Sequence, residues 1–298
     1  MFIVTNRSPT ECQRGERTSL IPVTNKVSVD LSGPAQTMLS TLYLKALDAD
    51  FNRPVLGDNF AKDAISRIDY DFHDTGMTAK WAPLVTVRTA QYDIWASQFI
   101  AAQPKCTVIH LGCGLDSRVF RLDPGSTVRW YDVDYPAVIA LREKIYPARQ
   151  HYHLIGTSAT DQSWLDQIPT DRPVLLLAEG ISMYLTESDG VALLRSVVER
   201  FQFGELQIDF YNWLAIKTQK TQTLMRRTGS TLHWVVNSPQ DILTQVPEVR
   251  LLTAVTFFDA STFSRASLAF RLAKQLARVV PSLRRTLQYH RYAFGPIN

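Results

Sequence analysis

Gly112 and Gly114, in Leu111-Gly112-Cys113-Gly114-Leu115-Asp116, follow an apolar run and precede a helical pattern. Glycine lets a backbone turn sharply and lets a ligand approach it closely. About twenty residues further on, Tyr131-Asp132-Val133-Asp134 puts two carboxylates at the end of a second apolar run, where a carboxylate is placed to bind ribose hydroxyls. Glu179, in Ala178-Glu179-Gly180, closes a third and very apolar run and belongs at a sheet edge above a ligand. Arg88, in Val87-Arg88-Thr89 with Asp93 beyond, carries a planar fork suited to a ligand carboxylate. Each feature alone has an ordinary explanation, as a tight turn, a helix N-cap or a surface charge. Glycines and carboxylates at this separation define a nucleoside-binding corner.

The charges around that corner separate two ligand classes. A pyrophosphate needs bare amides at a helix start. Asp116 sits in that first turn instead, and Ser117 stands where G-x-G-x-x-G has its third glycine. Asp132, Asp134 and Glu179 add negative charge, so Coulomb attraction favours a cation. S-adenosylmethionine has a sulfonium, an ammonium and no phosphate, and is the expected cofactor. Asp116 also reads as a simple partner of the helix dipole.

The elements that must hold these residues alternate. Strands are expected at Cys106 to Leu111, Val128 to Val133, Tyr152 to Ile155, Pro173 to Ala178 and Glu205 to Tyr211. Two more are expected at Val249 to Phe258 and Leu287 to Phe294. Helices lie between them, one capped by Thr186 and one opened by Pro136. This is α/β: a Rossmann-like, doubly wound, mostly parallel seven-stranded sheet. Helical periodicity from Ala35 to Gln103 predicts an N-terminal cap that Pro104 ends. The expected division is a loose arm over 1–30, a helical cap over 31–104 and the sheet domain over 105–298, packed with the cap as one unit. A basic amphipathic helix is expected from Arg265 to Arg285. Its Arg271, Lys274 and Arg278 read as a solvated face or as a mark for an acidic partner. With a net charge of +4, nothing demands nucleic acid or membrane. Cys12, Cys106 and Cys113 give neither a zinc pattern nor a disulfide framework, and no signal peptide is visible, so a cytoplasmic protein is expected.

At these residues the chain resembles the leucine carboxyl methyltransferase family, and within it the tetracenomycin-type polyketide carboxyl methyltransferases. The resemblance runs from about residue 35 to 295. It is carried by Thr41-Leu42-Tyr43-Leu44-Lys45-Ala46-Leu47-Asp48, Pro54-Val55-Leu56-Gly57-Asp58, Arg67-Ile68-Asp69-Tyr70-Asp71-Phe72 and Val87-Arg88-Thr89. It continues through His110 to Arg118, Trp130 to Pro136, Ala178 to Gly180 and Arg226-Arg227-Thr228-Gly229. It implies a class I methyltransferase fold with a helical cap, and S-adenosylmethionine as donor. It implies Arg88 on the donor carboxylate and the Gly112-Cys113-Gly114 turn against the methionine part. It puts Asp134 on the ribose with help from Asp132, and Glu179 near the methionine amine. The family's adenine-binding Asp-Leu pair is replaced by Ser158-Ala159, and Lys45 is the nearest match to a cap lysine of some members.

Methyl transfer is an in-line displacement in which the protein aligns the reactants and excludes water. A carboxylate acceptor, with a pKa of about 4, is already ionised and needs no base, whereas a phenol near 10 does. His110, inside a strand, reads as packing. No His-carboxylate base is evident among the motifs, so no catalytic residue is assigned. An O-methyltransferase forming a methyl ester on a small, polyketide-like acid is the leading expectation, and methylation of a phenol or hydroxyl is the alternative. Tyr184, Tyr211, Arg226, Arg227 and Trp234 are the expected acceptor contacts. Less favoured are an NAD-dependent oxidoreductase, a non-catalytic binding protein and a methylator of protein C-termini.

Overall fold

A computed structural model describes residues 26–29, 34–221, 223–266 and 268–296. Val27–Ser28 is β1, followed by α1 (Pro34–Ala49), α2 (Asn59–Arg67), β2 (Ile68–Asp69) and α3 (Ala82–Ala102). Alternation then begins: β3 (Thr107–Leu111), α4 (Arg118–Leu122), β4 (Arg129–Asp134), α5 (Pro136–Ile145), β5 (Tyr152–Gly156), β6 (Val174–Ala178), α6 (Glu187–Arg200) and β7 (Gly204–Tyr211). The remainder is α7 (Trp213–Lys217), α8 (Thr223–Thr228), α9 (Pro239–Gln245), β8 (Val249–Thr256), α10 (Leu268–Val279), α11 (Pro281–Arg284) and β9 (Leu287–Phe294).

Seven strands form one sheet in the order β5-β4-β3-β6-β7-β9-β8. β9 runs antiparallel to both of its neighbours. Chain order reverses between β3 and β6, the place where open α/β sheets bind ligands. Strand periodicity sorts the two faces. Ile109, Leu111, Tyr131, Val133, Leu176 and Ala178 pack on α6 residues such as Leu193, Leu194 and Val197. Val108, Trp130, Leu175 and Leu177 pack on the other side against Val87, Tyr92, Trp95 and Phe99 of α3. Helix α3 is therefore a layer of the sandwich.

Three local outcomes differ from the sequence expectation. The end of the arm is not loose: Val27–Ser28 pairs in parallel with Ile68–Asp69, while residues 1–25 lie outside the described residues. The helix after the glycines starts at Arg118 and runs only to Leu122. The basic helix is broken, because Pro281 restricts the residue before it; Val280 is extended and α11 starts afresh. Among the described residues, no helix is long and apolar enough to cross a membrane.

Candidate active site

The glycine corner is built by hydrogen bonds from two strands. Gly112 has φ +64°, and its N–H donates to Val133 O at 2.8 Å. A Cβ there would stand 2.8 Å from Ile181 Cδ1, so both conformation and space require glycine. Gly114, at φ +49°, donates its N–H to Asp134 Oδ2 at 2.7 Å, and Tyr135 N donates to Asp134 Oδ1 at 2.7 Å. Burial pushes the Asp134 carboxyl up, against the pull of these two N–H groups. Arg142 of α5 braces the turn from behind, donating to Gly114 O at 2.8 Å and Asp116 O at 2.9 Å.

Asp132 belongs to this bracing and not to the cavity. It is fully buried, paired with Arg142, and accepts from Tyr152 Oη at 2.6 Å and Trp130 Nε1 at 2.8 Å. The two aspartates at the end of β4 therefore have different roles. Asp132 holds the arginine, and Asp134 lines the cavity.

On the α3 side, polar residues near the carboxyl ends of neighbouring strands form a charge network. Arg88 Nε donates to Glu179 Oε1 at 2.9 Å and its Nη1 to Asp209 Oδ2 at 2.8 Å. Thr89 Oγ1 also donates to Glu179 at 2.8 Å. Arg118 pairs with Glu179 and, at 2.7 Å, with Asp93. Asp116 meets Lys45 at 3.0 Å, Arg121 at 3.0 Å and Arg118 at 3.4 Å. Burial alone would raise the Asp116 carboxyl, but Lys45, Arg118 and Arg121 outweigh it and hold it well below the usual range. At Glu179 burial is likewise overcome, by Arg118 and Arg88, to about 2. Asp209 goes the other way: burial raises it despite Arg88 and the Gly180 N–H.

This network corrects the electrostatic expectation. Asp116 and Glu179 are ionised but already paired, so the rim is not a reservoir of free negative charge. Arg88 gives its Nε to Glu179 and its Nη1 to Asp209 while lining the cavity. Asp209, Arg118 and Arg142 were missed by sequence reasoning. A signal existed for Asp209, an acid among the apolar residues of Gly204–Tyr211.

His110, expected as packing, is buried and hydrogen-bonded at one nitrogen. Arg118 Nη1 lies 3.1 Å from Nε2, which must therefore accept; Nδ1 faces Asp132 Oδ1 at 3.3 Å. The imidazole has no free lone pair to offer a substrate in that tautomer.

The cavity over this corner has a volume of about 300 Å³. Arg88, Gly112, Cys113, Gly114, Asp134, Ser158, Ala159, Glu179 and Tyr184 all line it. So does Lys45, the match to the cap lysine, together with Thr37 and His233, which the motifs did not single out. The Ser158 hydroxyl pairs with Thr160 at 2.8 Å and is exposed. Three of the other expected acceptor contacts, Trp234, Tyr211 and Arg226, do not line it. Trp234 is core: it is 1% exposed, edge-on to Phe210, and fills a notch in α6 where a Cβ on Gly190 would lie 2.1 Å from its ring. Its neighbour His233 takes the cavity-facing position. Tyr211 packs with Tyr184, Met183 and Met225 and is not among the cavity-lining residues. Arg226 is exposed on α8 and does not line the cavity either, and the Arg227 side chain lies outside the described residues.

A glycine corner, a carboxylate on the next strand and this strand order are the marks of a class I methyltransferase. Two solved structures support the fold. A DUF574 family protein from Streptomyces avermitilis superposes with a TM-score of 0.58 at 13% identity, covering 85% of this chain and 97% of that one. A putative methyltransferase from Thermobifida fusca gives 0.53 at 13%, covering 85% and 94%. The sequence profile of the leucine carboxyl methyltransferases matches residues 40–198. The tetracenomycin polyketide synthesis O-methyltransferase TcmP of Streptomyces glaucescens is 39% identical over 267 residues, 90% of this chain and 99% of that protein. The S-adenosyl-L-methionine-dependent methyltransferase dpfgK of Gibberella zeae is 35% identical over 76% of this chain and 83% of its own length. The chain belongs to the leucine carboxyl methyltransferase family, and it is a methyltransferase.

Proposed function

We propose that this methyltransferase takes its methyl group from S-adenosylmethionine and delivers it to a carboxylate oxygen of a small, polyketide-like acid, forming a methyl ester. The donor supplies an electrophilic methyl on a sulfonium; the acceptor oxygen forms the new O–C bond as the S–C bond breaks. The residues present fit such a donor. Asp134 faces the cavity from the end of β4, beside the Gly112 turn, where a ribose would be held. Glu179 lines the cavity where the family resemblance puts the ammonium, held there by Arg88, Thr89 and Arg118. Met38, Val133, Ile181 and Leu185 supply apolar walls that exclude water. Ser158 and Ala159 line the side assigned to adenine.

The observation that carries the acceptor class is the state of the acid–base groups. His110 Nε2, the nitrogen that could accept a proton, already accepts from Arg118, and Glu179 and Asp116 are held strongly acidic by their cations, so they are poor proton acceptors. A carboxylate needs no base. The O-methyltransferase activity named for the Streptomyces glaucescens relative and the family's carboxyl chemistry support the same reading. One observation favours a second reading: His233 is an exposed imidazole at the cavity, placed to deprotonate a phenol.

The test is transfer of labelled methyl from the donor to aromatic polyketide acids, followed by mild base. Loss of the label identifies an ester. Stable label whose formation needs His233, and disappears in His233→Gln, identifies a phenol ether and overturns the carboxylate reading.

A further inference from the structure

The basic helix of the C-terminal region is turned the wrong way for a core element. At about 100° per residue, Leu272, Leu276 and Val279 fall on one narrow stripe, with Arg271 and Arg278 beside it. An amphipathic helix ordinarily buries such a stripe. Here those side chains are 63%, 60% and 75% exposed, and Val280, just past the helix end, is 39% exposed. The side facing the protein is instead the one with Ala277, 1% exposed, and Phe270, whose ring lies 5.7 Å from that of Phe257. Lys274 ties that side down by donating to Phe258 O at 2.5 Å. Arg284 of α11 pairs with Asp259 at 3.0 Å. The helix is thus docked through its less apolar side and presents its leucines outward.

The charge on the two helices themselves is of one sign, apart from the contact of Arg284 with Asp259. From Ala260 to the end, the chain carries seven Lys and Arg residues and no Asp or Glu. Arg271 and Arg278 are exposed beside the stripe, and Arg285 is exposed at the end of α11. Charge complementarity then sorts the possible occupants. A second copy of the same face would set these arginines against each other. The segment over 1–25 has three arginines and two glutamates and brings no compensating charge.

We propose that α10 and α11 form a foot by which the protein lies on an anionic lipid surface. Leu272, Leu276 and Val279 enter the acyl boundary while Arg271, Arg278 and Arg285 meet the lipid phosphates. The attachment is peripheral and independent of methyl transfer.

Flotation of the full-length protein with vesicles tests this. Wild-type protein should float with phosphatidylcholine–phosphatidylglycerol vesicles, float poorly with phosphatidylcholine alone, and be released by salt. Leu276→Glu should abolish flotation, and the double substitution Arg271→Glu/Arg278→Glu should reduce it by at least about tenfold. Thermal melting and donor binding should remain as in wild type in both, since these side chains are exposed. Failure of the wild-type protein to float, or unchanged flotation of Leu276→Glu, overturns the proposal. So does a dimer in analytical ultracentrifugation that Leu276→Glu dissociates, which would give the face to a second copy.

Discussion

At the scale of single residues, the site depends on charges that cannot stand alone. Arg88 is shared by Glu179 and Asp209, both buried. Removing it in Arg88→Ala leaves Asp209 without its cation and Glu179 with Arg118 alone, and breaking a buried pair from one side destabilises by about 3–5 kcal/mol. Arg88→Lys keeps the charge but cannot span both acids, and should fall between wild type and alanine in chemical denaturation. Equal stability of all three would remove Arg88 from the structural role given to it. Asp134 is different, because it lines the cavity and its backbone partners are loop amides. Asp134→Ala should weaken donor binding by about 1–3 kcal/mol through loss of a charged hydrogen bond. Calorimetry showing unchanged affinity would refute the ribose assignment.

At the scale of elements, two glycines decide how helices and turns meet their neighbours. Gly190 lets α6 close over Trp234, and its own Cβ would lie 2.1 Å from that ring. Gly190→Ala should destabilise by about 1–3 kcal/mol through overpacking, while leaving the glycine corner intact. A melting temperature equal to wild type would show that α6 shifts without penalty. Gly112→Ala combines a positive φ with a clash on Ile181, so it should lower donor affinity as well as stability. The contrast between these two variants separates packing of the sheet from shaping of the site. The elements themselves were largely legible in the sequence. The seven strand expectations fall on β3 to β9 within a residue or two, because apolar runs bounded by turn residues mark buried strands strongly. The continuous basic helix was not legible as broken, although Pro281 was the available signal.

At the scale of the whole molecule, acid stability follows from where titrating groups are buried. Burial depresses His290 to about 3, with its ring packed on Phe210 and Tyr292. An unfolded His takes up its proton near 6.5. The unfolded state therefore binds more protons below that pH, and stability should fall as pH drops from about 6.5 towards 3. Glu179 adds a second loss: its folded value of about 2 lies below the unfolded one near 4.3, so its contribution is full above that pH and fades as pH falls to about 2. Urea denaturation across this range should show a slope beginning near pH 6.5, and His290→Gln should flatten its upper part. An identical slope in the variant would show that folded and unfolded chains protonate His290 over the same pH range, against the depression assigned to it.

Local pattern was enough to read the alternation of strands and helices, the glycine turn and the carboxylate placed after it. Periodicity and the backbone conformations that glycine adopts readily are properties of short stretches of chain. Which carboxylates are free was not legible in this way. Asp132 and Asp134 sit two residues apart, yet one is locked by Arg142 and the other opens on the cavity. Trp234 is core and His233 lines the cavity, although they are adjacent. Partners such as Arg88, Asp209 and Glu179 come from three distant segments, and only the folded chain brings them within hydrogen-bond reach. Ion pairing and burial depend on that meeting, so the charge available to a ligand is a property of the tertiary structure.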